Sequence, residues 1–188
     1  MNSIIVNPHL CVPALRWREQ SLYLWSAAFV AGNLVLPQLC HLAPMGGKML
    51  LPIYFFTLIG AAAFGWRVGV ITALASPLLN SLLFSMPTAE MLPVIVTKSL
   101  LIAAIAPVVL HRVKTLPLAL LLVVLGYQTA GGFFEWAWTG TYQAALHDLT
   151  NGWLGMVAQV LLGWTVLAAL PVKGRGGDAA DAHGHENL

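Results

Sequence analysis

Charge is what this chain has least of. Only 9% of its 188 residues are Asp, Glu, Lys or Arg, against roughly 25% in a soluble domain. Hydrophobic residues make up 59%. A water-soluble core of this size cannot hide so many apolar side chains, so lipid must solvate much of the surface. Cysteine is scarce as well: Cys11 and Cys40 are too few for a disulfide framework. The stretch before Ser21 lacks the apolar region of a cleavable signal peptide, because Pro8, Pro13, Arg16, Arg18 and Glu19 interrupt it. There is no phosphate-binding glycine loop, no His-Glu-x-x-His, no Gly-x-Ser-x-Gly and no zinc-finger spacing. The chain is therefore expected not to be an enzyme, to need no catalytic cofactor and to bind no nucleic acid.

What is there is a series of apolar runs. A helix needs roughly 20 apolar residues to cross the hydrocarbon core, within about 17–25. Runs at 21–41, 51–64, 68–86, 91–110, 116–135 and 151–171 are separated by Pro44-Met45-Gly46-Gly47, Gly65-Trp66-Arg67, Met86-Pro87-Thr88 and Arg112-Val113-Lys114 among others. The run at 51–64 opens on Pro52, a favourable first-turn position, and is short for a full crossing. Pro37 lies near the outer end of the first run and Pro77 interrupts the third.

These runs predict an all-α integral membrane protein with six transmembrane helices. Residues 1–20 form a cytoplasmic segment, 21–171 the membrane domain, and 172–188 a polar, disordered tail. The ending Glu186-Asn187-Leu188 matches the start of a common protease-cleavage tag, and residues after about Gly184 are assigned no function. With six crossings, Arg16, Arg18, Arg67, Arg112, Lys114, Lys173 and Arg175 fall on one side, and Lys48, Glu90, Glu135 and Asp148 on the other. The positive-inside rule makes the first side, with both termini, cytoplasmic. Five or seven crossings would scatter those cations.

Ionisable and amide groups within membrane spans are expensive and tend to mark function. Lys98 lies about two turns into the fourth run, Asn80 in the outer half of the third, Tyr127 and Gln128 in the fifth with Glu135 at its outer end, and Gln159 in the sixth. Satisfied interhelical hydrogen bonding is the plainer reading for Asn33 and Gln159, and Lys98 can simply pair with Glu135. The clustering at one depth is the stronger signal. The loop Cys40-His41 to Gly46-Gly47-Lys48 adds ligating and hydrogen-bonding groups at the outer face. Phe133, Phe134, Trp136, Trp138, Tyr142 and Trp153 read either as an interfacial aromatic belt or as walls of a ligand pocket. The expected binding residues are thus Cys40, His41, Lys48, Asn80, Lys98, Gln128, Glu135, Trp136 and Tyr142. In the first run, Ala27 and Ala31 lie one turn apart, as do Ala28 and Gly32, a spacing that lets another helix approach closely. Packing inside the bundle and docking of a partner are both compatible with it.

From Ala27-x-x-x-Ala31 and the block Leu36–Pro87, with Leu51-Pro52, Gly65-x-x-x-Gly69, Ser76-Pro77-Leu78-Leu79 and Met86-Pro87, the chain resembles the substrate-binding S components of energy-coupling factor (ECF) vitamin transporters. The likeness covers roughly residues 20–171; Tyr54-Phe55-Phe56 departs from the polar positions expected there. It implies a multi-pass protein of a bacterial inner membrane that binds a vitamin at its outer face and carries it inward without covalent chemistry. Its partners would be lipid, the vitamin and, through Ala27 and Ala31, a transmembrane coupling subunit with ATPases. Cobalamin is the narrower expectation, with Cys40 or His41 as axial ligand to the corrinoid cobalt, which accepts thiolate or imidazole; thiamine-, riboflavin- and pantothenate-like ligands stay open, since an aromatic-walled pocket suits them too. Two other classes compete: an intramembrane enzyme using Lys98, Glu135, His41 and Cys40, and a structural subunit of a membrane complex.

Overall fold

Every residue of a lipid-exposed span must satisfy its backbone internally, which leaves helices as the economical solution for apolar runs of this length. The computed structural model describes residues 15–41, 52–143, 150 and 152–170, and among these it is all-α. The described residues form six α-helices: α1 (Gln20–His41), α2 (Phe55–Phe64), α3 (Trp66–Phe84), α4 (Leu92–Arg112), α5 (Leu116–Thr139) and α6 (Trp153–Ala169). A 3-10 turn, Pro52–Tyr54, leads into α2. Helices α1, α3, α4 and α5 are each long and apolar enough to cross a membrane. Leu24, Leu82, Leu83, Phe133 and Leu162 lie exposed along the outside of the bundle, a surface suited to lipid and not to water. The chain is a membrane-embedded helical protein.

The short helix is the hub. Its ten residues rise about 15 Å and the 3-10 turn adds about 6 Å, less than the ~30 Å of hydrocarbon. Thr57 through Ala63 are all buried, since α2 contacts α1, α3, α4 and α6. Around it the chain proceeds in order, α1 against α3, α3 against α4, α4 against α5 and α5 against α6. Gly60 and Ala61–Ala63 make this possible: with no bulk on the hub, Phe29 of α1 and Val68 of α3 close on Gly60, and Ala61 meets Gly69. The core filling the rest is Leu22, Phe29, Leu58, Ile59, Val68, Ile102, Leu120, Val123, Val124 and Leu167.

Two helix boundaries differ from the sequence reading for local reasons. Trp66 and Arg67 belong to α3, because Gly65 alone makes the reversal from α2 with φ 90°, a region that favours glycine. Its N–H caps the Ala61 carbonyl at 3.1 Å. Helix α5 runs past Glu135 to Thr139, where Gly140 in the left-handed region (φ 72°) donates to the Trp136 carbonyl at 2.9 Å and ends it. Pro77 does not interrupt α3, and Pro107 sits likewise inside α4; membrane helices tolerate such residues where neighbouring groups cover the freed carbonyl.

Alternation of the helices sorts the charges. Arg16, Arg18, Arg67, Arg112 and Lys114 all lie at the end where Leu15 N–H donates to the Phe64 carbonyl and Arg67 donates to the Leu15 carbonyl, both at 3.3 Å. There Arg67 also stacks over Trp66, 4.9 Å from the ring centroid, an amphipathic interfacial arrangement. Cys40 lies at the opposite end.

Candidate functional site

Buried polar side chains in a lipid-solvated bundle need partners, because the surrounding medium supplies none. The half toward the Cys40 end holds nearly all of them. Asn33 of α1 donates to Thr57 Oγ1 and Ser76 Oγ, each at 3.1 Å, while its own Oδ1 accepts from the Phe56 N–H at 3.1 Å. Asn80 Nδ2 donates to the Asn33 carbonyl at 2.9 Å and the Ser76 carbonyl at 3.1 Å. This network ties α1, α2 and α3 into one unit. On the other side of the hub, Tyr127 donates to Gln159 Oε1 at 2.9 Å, linking α5 to α6, and Tyr127 packs against Tyr54, ring centroids 5.4 Å apart.

Between α4 and α5 the chemistry is different in kind. Lys98 Nζ meets Glu135 Oε2 at 2.6 Å, with the two side chains only 1% and 2% exposed. The pair is positioned by antiparallel packing: Lys98 lies six residues inside the start of α4 and Glu135 four before the end of α5. The lysine stem crosses α5 at Gly131, where a Cβ would collide with Lys98 Cγ and sit 3.1 Å from Cε. Gly131 is therefore what lets a lysine lie flat between two helices. One turn below Gly131 comes Gln128, 2% exposed, with neither Oε1 nor Nε2 hydrogen-bonded. Gln128 and Glu135 are seven residues apart, two turns on one face, about 10 Å along the axis. The only other buried side-chain atoms without a partner among the described residues are Arg67 Nε and Ser99 Oγ.

The expected binding residues thus divide. Lys98 and Glu135 are brought together, and Gln128 shares their helix face. Asn80 is buried but tied to α1, with no hydrogen bond to the Lys98 pair. Trp136 and Tyr142 are exposed, 49% and 61%; they stand on the outside of the bundle, where an aromatic belt belongs. Trp138 behaves alike, its indole donating to the Glu90 carbonyl at 3.2 Å. Cys40 is a free, half-buried thiol on the last turn of α1. His41 ends that helix, its side chain outside what the structure describes, and Lys48 with the rest of the outer loop lies outside the described residues altogether. Among the described residues no three His, Cys, Asp or Glu side chains converge as a metal site. Ala27 and Ala31 are exposed along α1, as is Ala28, while Gly32 faces inward on the Phe56 ring; of the two pairs, the first is exposed at both positions.

Thr57, Ser76 and Gly131 were not among the expected residues. A hydroxyl on a short apolar helix, a Ser before a helical proline and a Gly-Gly pair within two turns of a buried acid are the signals that mark them in hindsight. Fold and site define a polytopic helical membrane protein with a buried charged pair and an unpartnered amide between two of its helices. Compared with family models, curated proteins and solved structures, the chain matches none.

Proposed function

We propose that the protein captures a vitamin- or cofactor-like small molecule between its helices near the Cys40 end and delivers it to the opposite side, as an S component of an ECF-type transporter does. The observation that carries this reading is the α4–α5 seam. Lys98 and Glu135 are buried there, and Gln128, on the Glu135 face of α5, is buried with no partner, while Asn33 and Tyr127 on the other helix pairs are hydrogen-bonded. Burying an amide without partners costs about 1–3 kcal/mol, and a charged group inside a span more; a ligand that accepts and donates there offsets it. The exposed Ala27 and Ala31 offer a smooth helix face for a coupling subunit, and ATPases would act through that subunit. The collection of Arg16, Arg18, Arg67, Arg112 and Lys114 at one end supports six crossings with both termini in the cytoplasm of a bacterium, which makes the Cys40 end the outer, substrate-facing one. Cobalamin is the narrower candidate, with Cys40 or His41 as axial ligand to its cobalt.

Native mass spectrometry of the purified protein in detergent tests this. The expected result is a small molecule bound one to one, with a corrinoid mass in the narrower version. Protein that carries no ligand, and gains none when vitamins are added, overturns it.

A further inference from the structure

Gln128 narrows the ligand's chemistry. A primary amide has two N–H donors and a carbonyl with two lone pairs, and all of these are buried without a partner in Gln128. Its chemical relative Gln159, equally buried, is bonded to Tyr127, so burial in this bundle does not of itself leave an amide unmatched. The group that satisfies a carboxamide along one edge is another amide held cis, with its N–H and C=O side by side: two antiparallel hydrogen bonds form in one plane. Rings fix an amide cis, as in lactams, cyclic ureas and pyrimidinones.

The surroundings of Gln128 suit a ring. Gly131 and Gly132 follow it on the buried side of α5 and present bare backbone, a flat surface one turn away. What lies on that surface is the aliphatic stem of Lys98, packed on Gly131. A lysine stem has four rotatable carbons and can leave its place without moving a helix, whereas a branched or aromatic side chain there would not.

Resting on the ligand-binding reading above, we infer that Gln128 recognises the cis-amide edge of a flat heterocycle, which seats on Gly131-Gly132 in the space the Lys98 stem now fills. Lys98 is then a displaceable plug, anchored through Glu135 in the unliganded state.

The test uses the full chain in detergent, with imidazolidin-2-one as the cyclic urea and its N,N′-dimethyl derivative, which keeps the carbonyl but has no N–H. Ligand-observed saturation-transfer NMR should detect the first and not the second. Gln128→Leu should weaken the cyclic urea by about tenfold or more, the loss of at least one hydrogen bond made in a dry site. The same variant should raise the melting temperature of the unliganded protein by about 3 °C, because an unmatched amide gives way to an apolar side chain of similar size. Equal binding of both ureas, absence of binding by either, undiminished binding to Gln128→Leu, or a lowered melting temperature in that variant each overturns the inference. A one-to-one small molecule without a ring cis-amide, a corrinoid included, found by native mass spectrometry, overturns it while leaving the transport reading intact.

Discussion

Cutting one member of the Lys98–Glu135 pair should cost far more than cutting both. With Lys98 1% and Glu135 2% exposed and the charges 2.6 Å apart, Lys98→Met leaves the Glu135 carboxylate buried without its counter-charge. Removing one partner of a buried pair typically costs about 3–5 kcal/mol, whereas replacing both by apolar groups of similar volume is neutral or stabilising by about 1–4 kcal/mol. Glu135→Gln removes the counter-charge and leaves the ammonium a neutral acceptor, so it should cost less than Lys98→Met, within about 1–3 kcal/mol. The double variant Lys98→Met/Glu135→Leu should return to within about 1 kcal/mol of the unmodified protein or exceed it. Circular dichroism during unfolding in mixed dodecyl-maltoside and SDS micelles gives all four corners of the cycle. Single variants that each cost under about 1 kcal/mol would show that water reaches the pair. A double variant as unstable as the sum of the singles would show that the side chains do not interact.

The other expectations concern packing and topology. Gly69→Ala should destabilise by about 1–3 kcal/mol, because its Cβ would stand 2.8 Å from Ala61 Cβ, 3.0 Å from Ala103 Cβ and 3.2 Å from the Ala103 backbone. Gly126→Ala, whose nearest neighbour is the pliable Ile105 side chain at 3.7 Å, should be neutral or stabilising in the same unfolding assay. Asn33→Leu removes three side-chain hydrogen bonds among α1, α2 and α3 and should cost about 2 kcal/mol at roughly 0.6 kcal/mol per bond in a membrane bundle; a stabilised variant would mean the network is dispensable. In a background without Cys11 and Cys40, an impermeant maleimide on intact cells should label Thr88→Cys and not Arg112→Cys, and the reverse pattern would invert the topology. Ala27→Leu and Ala31→Leu should leave ligand binding unchanged and reduce uptake, read by radiolabelled vitamin accumulation. Loss of binding in either variant would place that face within the ligand machinery.

Lipid simplifies one half of the problem and obscures the other. The run of apolar residues, the turn chemistry between runs and the one-sided cations were enough to expect six transmembrane helices; the described residues form six within a few residues of those bounds, four of them long and apolar enough to cross a membrane. The discrepancies at Trp66 and Thr139 came from single glycines, Gly65 and Gly140, whose backbone angles set the boundary more sharply than hydropathy does. The depth of the polar residues was also readable, because position along a helix translates directly into distance from its end.

Orientation around each helix was not. A helix in water advertises its buried face by amphipathic contrast, but one in lipid is apolar on both sides. Gly60 to Ala63 permit close packing around Phe55–Phe64, but apolar contrast does not mark it as the central helix; its contacts with α1, α3, α4 and α6 do. The same loss of contrast made Trp136 and Tyr142 equally plausible as pocket walls and as belt, until their exposure decided for the surface. Composition and order by themselves determined that this chain lives in a membrane, where the helices of its described residues run and how far along them its polar groups lie. Tertiary packing alone decided which of them are matched. Gln128 and Gln159 are the same residue, in neighbouring helices and equally buried, yet one faces the Tyr127 hydroxyl and the other faces no partner, because a hydrogen bond depends on direction across helices and the sequence records only distance along them.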